Sequence, residues 1–210
     1  MNPIMIWAAH LKVGLHQAKE SGHVKTVTEY YANPLKSDQQ NPAWDETLRN
    51  IFSYADGMEV NWTADATGAT GGRLHFMKME HVFQNWEGKL YESEDLTNER
   101  MLAFFKPFDL ITDETQCGFL HEPDFESQSI YYNRSGEPAL YDLDLDFKGY
   151  LDMALASRIY YYWPKVLLDI QSGEESVETE NFKVNMPKIF PDFSWDDYVA
   201  QYQSLRLSQQ

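Results

Sequence analysis

Cysteine is nearly absent: Cys117 is the only one in 210 residues. That excludes an internal disulfide framework and any zinc site built on paired Cys-x-x-Cys. Long apolar runs are missing as well, and no stretch approaches the roughly 20 residues needed to span a bilayer. The opening MNPIMIWAAHLKVGL has no basic leading region and is interrupted by His10 and Lys12, so it does not read as a signal peptide. The triplets at Asn61 and Asn133 match a glycosylation pattern that has no meaning in a chain that is not secreted. Together these features predict a cytoplasmic protein.

Positive charge is scarce too. Lys and Arg number 17 against 33 Asp and Glu, for a net charge of -16. Residues 1–89 hold 10 acidic and 8 basic side chains, whereas residues 90–146 hold 14 acidic and 3 basic. Such a chain repels nucleic acid and anionic membrane and attracts basic surfaces. An acidic surface also serves solubility, so charge alone names no partner.

What is present is enough to build a core: 43% of residues are apolar and 15% aromatic. Ile4, Trp7, Ala8, Leu11, Leu15 and Ala18 recur at helical spacing, which predicts an opening helix that Ser21 and Gly22 end. A second helix is marked by Asn41 as its cap, Pro42 at its first position and Asp45 and Glu46 in its first turn. Trp44, Leu48, Ile51, Phe52 and Ala55 form its apolar face, and Gly57 stops it. MEVNWTA then alternates as a strand, followed by the loop DATGATGG and a second strand, RLHFMK. A short helix over MEHVFQNW follows, then another over 95–105 capped by Thr97. FDLIT, CGFLH, SIYYN and ALYDLDL read as further strands with antiparallel pairing. A long helix from Asp146 carries Leu151, Leu155, Ile159, Tyr162, Val166 and Ile170, with Pro164 kinking or restarting it. QSGEESVETENFKVNMP reads as a polar connection. Ser194 and Asp197 then make a capping pair, and Phe193 with Tyr198 a hydrophobic staple, for a last helix.

No specific catalytic motif is present, although 33 acidic residues offer many carboxylate pairs of the kind used in hydrolysis, too many for any one to stand out. GATGG lacks the ending of a phosphate-binding loop and is better explained as a turn between strands. Asp142-Leu-Asp-Leu-Asp146 resembles the start of a calcium loop, but Phe147 and Met153 stand where glycine and glutamate are required. Outward carboxylates on a strand, with Asp144 or Asp146 capping the next helix, explain it better. The six histidines form no metal cluster, and Cys117 with His121 lie four residues apart on a predicted strand, which does not bring them together. The expectation is therefore no enzyme, no cofactor and no metal. Tyr160, Tyr161, Tyr162 and Trp163 are consecutive, so on a helix they point all around it. Tyr162 is expected in the core, with a neighbour left exposed as an interface contact.

SYADGMEVNW (53–62), GGRLHFMKMEHVFQNW (71–86), FFKPFDLITDETQCGFLH (104–121) and PALYDLDLDFKGYLDMAL (138–155) resemble, in order, segments of the SUKH superfamily. That group takes in fungal cell-wall assembly regulators and bacterial immunity proteins. The resemblance covers about residues 40–170, leaving 1–39 as an N-terminal helical extension and 171–210 as a polar connection and C-terminal helix of one domain. It implies a mixed sheet with helices packed on it and no catalytic residues. With the strand pattern, the expected fold is α+β: a largely antiparallel sheet of about five to six strands, with extra terminal helices.

The expected function is a non-catalytic protein-binding domain. The resemblance implies an immunity protein that neutralises a basic toxin domain, such as a nuclease, through an acidic surface. A regulatory or scaffolding domain of the same fold is the alternative, and an enzyme or small-ligand-binding protein a remote one. Glu92, Glu94, Asp95, Asp142 and Asp144 are the expected steering carboxylates, with Tyr160 and Tyr161 as desolvated contacts.

Overall fold

The spacing of Ile4, Trp7, Ala8, Leu11, Leu15 and Ala18 is realised as one buried stripe of helix α1 (Pro3–Glu20) in the computed structural model. The structure describes residues 3–40, 46–91, 100–122 and 125–209. Gly22, at φ 79°, turns the chain out of α1. Strand β1 (Thr26–Tyr31) follows, which the sequence reading passed over. Its alternation is real, but the more shielded positions are Val27, Glu29 and Tyr31, so a carboxylate interrupts the apolar pattern. Glu29 is held there by Lys12 and His16 of α1, each at 2.9 Å.

Helix α2 (Glu46–Tyr54) buries Ile51 and Phe52, and Ala55 beyond it is fully buried. The expected cap and first-turn residues 41–45 lie outside the described residues. Gly57, at φ 100°, then redirects the chain into β2 (Met58–Thr63), which puts Met58, Val60 and Trp62 in the core. The loop to β3 (Gly71–Phe76) is organised by Asp65, whose carboxylate accepts from the backbone N–H groups of Thr67, Ala69 and Thr70. GATGG is thus a turn between strands, as expected. Only one helical turn, α3 (Met79–Val82), forms within 79–86, and α4 (Arg100–Phe104) is the described part of the helix expected over 95–105. Its expected cap, Thr97, lies outside the described residues.

Strands β4 (Phe105–Leu110), β5 (Thr115–Glu122), β6 (Phe125–Arg134) and β7 (Tyr141–Asp142) complete a seven-stranded sheet in sequence order. Every strand pairing is antiparallel, and the class is α+β. The run ALYDLDL contributes only two ladder residues, because Asp144 takes φ 55° and breaks the extended geometry. Leu143 and Leu145 still enter the core, tied to Ile130 through backbone hydrogen bonds.

The helix expected from Asp146 is two. Asp146 caps α5 (Phe147–Ala156) by accepting from the Gly149 N–H at 2.6 Å. The chain leaves helical geometry over 157–162 and restarts as α6 (Trp163–Ser172), with Pro164 in its first turn, where its missing N–H costs nothing. Tyr160 and Trp163 therefore enter the core, while Tyr161 and Tyr162 stay half-buried, which corrects the expectation that Tyr162 would be the core residue.

The expected polar connection after 171 is largely α7 (Val177–Ile189), capped by Ser176, whose hydroxyl accepts from the Thr179 N–H. Helix α8 (Trp195–Leu205) is capped by Ser194 on the Asp197 N–H, and Phe193 meets Tyr198 at 5.8 Å, as the sequence predicts. Phe182 of α7 collects Tyr160, Phe193 and Tyr198 within 5.4 Å. Aromatic pairs of this kind contribute about 0.5–1.5 kcal/mol each beyond area burial. Residues from α1, the sheet and α5 to α8 share one core, so both terminal segments belong to it.

Candidate functional site

Among the described residues β3 and β4 share a single ladder pair, Phe76 with Asp109, and the linker between α5 and α6 pairs with the first residues of β3. The Arg73 N–H donates to the Ile159 carbonyl at 2.9 Å, and the Tyr161 N–H to the Gly71 carbonyl at 3.0 Å. Trp62 donates its indole N–H to the Arg158 carbonyl at 2.7 Å. The close approach requires glycine: a Cβ on Gly72 would lie 2.3 Å from the Ile159 carbonyl oxygen. Within this linker Arg158, Ile159 and Tyr162 all take left-handed backbone, at φ 52°, 54° and 59°. Each is an unfavourable state for a residue with a Cβ, held by the contacts around it, and such clusters gather at functional sites.

Tyr162 ends the linker and faces two clefts. The smaller, about 520 Å³, contains Glu59, Asn61, Arg73, Asp113 and Tyr161. Its guanidinium is engaged at two of its three nitrogens: Arg73 donates to Asp113 at 3.0 Å and to the His75 Nδ1 at 2.9 Å, while its buried Nε makes no hydrogen bond among the described residues. Burial first, and the neighbouring Arg73 charge second, lower the His75 pKa, so neutral histidine is the acceptor here.

The larger cleft, about 700 Å³, lies between β6, β7 and α6. Tyr132, Tyr141, Tyr162, Leu140 and Leu168 supply its apolar surface, and Glu137, Asp142, Glu174 and Glu178 its carboxylates. Two bases also line it, but both have acidic partners outside it. Lys165 is bonded to the buried Asp169, and Arg134 lies 3.7 Å from Glu114. The Tyr141 hydroxyl donates to Glu137 at 3.2 Å, and burial with the Glu137 charge raises the Tyr141 pKa. Asp142 accepts from the Ser129 hydroxyl. The cleft is therefore aromatic and net acidic, a setting that favours a cation through carboxylates and ring faces together.

The expected site residues divide unevenly. Asp142 lines the larger cleft and Tyr161 the smaller. Asp144 is no steering carboxylate: it pairs with Arg206 at 2.7 Å and accepts from the Ser208 N–H at 2.9 Å, fastening the C-terminal end of the chain. Tyr160 is no surface contact either, since it is 6% exposed and its hydroxyl accepts from Asn185. Its neighbours rotate it inward because the linker is not helical. Glu92, Glu94 and Asp95 lie outside the described residues. Tyr141, Tyr162, Glu137, Glu174 and Glu178 were missed, and only their acidity and aromaticity could have flagged them.

Two of the groups that could suggest catalysis, Asp109 and Cys117, lie in the core. Asp109 is fully buried, accepting from the His75 N–H at 2.8 Å and the Tyr150 hydroxyl at 2.7 Å. Burial pushes its carboxyl up to about 7, and also raises the thiol of the fully buried Cys117. His121 is exposed on the same strand, so no thiol–base pair forms with Cys117. Among the described residues no group of three or more His, Cys, Asp or Glu is placed to hold a metal ion. No helix among them is long and apolar enough to cross a membrane. No protein-family model, curated protein or solved structure matches this chain.

Proposed function

We propose that the chain is a non-catalytic protein-binding domain of the cytoplasm that captures a basic partner through the larger cleft. One observation carries the reading: four carboxylates share a tyrosine-bearing cleft whose two basic residues are already paired with acids outside it. The net charge of -16 adds a long-range field that draws a cationic partner in, while the desolvated tyrosines slow its departure. Neutralising a basic toxin domain, including a nuclease whose phosphate-binding residues an acidic surface would occupy, is the form of this activity we favour. The SUKH resemblance supports that form, and the buried setting of Asp109 and Cys117 supports binding over catalysis.

The test is retention of proteins from the source cell on immobilised chain, followed by assay of what is retained. A basic polypeptide whose own activity falls when the chain is added is the expected result. Retention of acidic proteins only, or of a partner whose binding is indifferent to ionic strength, would refute the reading.

A further inference from the structure

Knowing that a basic partner binds does not say which part of it enters the cleft. We propose that the cleft seats an arginine side chain, presented on an extended segment, between the tyrosines Tyr141 and Tyr162 and the carboxylates Glu174 and Glu178. This rests on the protein-binding reading above and adds the chemical group recognised.

Shape is the first argument. The cleft measures about 700 Å³, a concave volume that a flat patch would leave unfilled. An arginine side chain takes up part of it, and the extended segment that presents the side chain lies in the remainder. Charge is the second. Among the described residues no ion pair engages Glu174 or Glu178, while neighbouring Glu175 is already paired with Lys183 at 2.6 Å. Glu178 also stands in the first turn of α7, where it complements the helix dipole, but Glu180 shares that task. The dipole does not explain Glu174, which lines the same cleft as Glu178 and the two tyrosines.

Arginine fits better than lysine for a geometric reason. A guanidinium is planar, lies flat on a tyrosine ring and still presents a fork of N–H donors to a carboxylate at its edge. Tyr141 is 41% exposed and so has ring surface to offer, and Tyr162 is half-buried with its backbone fixed by the linker. A compact, strongly hydrated ammonium can also sit over a ring, as Lys183 does over Trp195 at 4.5 Å, but it lacks the planar fork that engages ring and carboxylate together.

The experiment is an NMR titration of the full chain with three peptides: acetyl-Gly-Arg-Gly-Arg-Gly-amide, its lysine counterpart and its citrulline counterpart. It is repeated on Glu174→Gln/Glu178→Gln and on Glu20→Gln/Glu87→Gln, which removes the same charge at exposed sites elsewhere. The arginine peptide is expected to shift resonances of Tyr141, Tyr162 and Glu174, to bind more tightly than the lysine peptide, and to outcompete citrulline completely. Its affinity should fall at least about tenfold in the cleft variant and no more than about twofold in the control. Equal losses in the two variants, shifts spread over the acidic surface, equal binding of lysine and arginine, or no binding would each overturn the proposal. A natural partner held equally by wild type and by Glu174→Gln/Glu178→Gln would sink this inference and leave protein binding standing. Failure to retain any basic partner would sink the earlier reading itself.

Discussion

Trp62 and Arg158 stand 96 residues apart, and the indole N–H of the first donates to the carbonyl of the second at 2.7 Å. That bond fastens the left-handed linker to β2, the second strand of the sheet. It thereby fixes Tyr162 at the meeting of the two clefts. Trp62→Phe keeps most of the packing but leaves a part-buried carbonyl without its donor, at a cost of about 1 kcal/mol. Urea unfolding should report that loss. A variant as stable as wild type would show that the bond contributes nothing.

Gly72→Ala tests the same junction sterically. Its Cβ would meet the Ile159 carbonyl oxygen at 2.3 Å and the Trp62 Nε1 at 2.4 Å, and backbone cannot step aside as a flexible side chain can. The expected loss is about 3 kcal/mol or more. Gly136→Ala, at φ 83° with open space around it, should lose only about 1 kcal/mol. Thermal melts of the pair in one buffer decide the matter, and equal losses would mean the linker is not clamped there.

Asp109 gives a pH dependence of definite sign. Burial pushes its carboxyl up to about 7, against hydrogen bonds from His75 and Tyr150 and the attraction of Arg73. The folded state thus keeps a proton that the unfolded chain releases near pH ~4. Its contribution to stability falls as pH rises from about 4 to about 7, by at most about 1.4 kcal/mol per pH unit. Asp109→Asn retains an acceptor for the His75 N–H and has no proton to lose. Its stability relative to wild type should rise across that window and level off above it. A difference independent of pH would show that Asp109 titrates normally.

Asp169 predicts the opposite slope at lower pH. Burial raises its carboxyl, but hydrogen bonds from Lys165, Ser176 and Thr179 outweigh that and hold it at about 2. The stability it supplies is present above the usual carboxylate range and is lost as pH falls toward about 2. Ser176 and Thr179 tie it to the start of α7, with contacts of 2.5 and 2.6 Å to its Oδ2. Asp169→Ala should cost about 2–4 kcal/mol at neutral pH and flatten the acid limb. An acid limb that matched wild type would contradict this.

Much of the fold was legible where a periodic apolar face coincided with a clear stop signal. α1 shows this best, with six expected core positions and all six buried. α7 was missed because Phe182, Met186 and Ile189 are widely spaced among polar residues, and Pro187 in the last turn mimics a break. Its signals, Ser176 as cap and Glu178 and Glu180 in the first turn, were nevertheless in place. The cleft was harder to read for a different reason. Its walls come from residues 132–142 and 162–178, and what brings them together is a left-handed linker set by Trp62 and Gly72. Tyr160 to Trp163 give no local hint of that conformation, since only tertiary contacts impose it on residues with a Cβ.

Electrostatic capture in the larger cleft should be visible in the kinetics of the purified natural partner. The decisive measurement is its association and dissociation rates at increasing ionic strength, for wild type and for Glu174→Gln/Glu178→Gln. The association rate is expected to fall steeply with salt for both proteins, because most of the acidic field remains in the variant. The dissociation rate is expected to be at least about tenfold faster in the variant. An association rate indifferent to salt, or a dissociation rate unchanged by the substitutions, would contradict it.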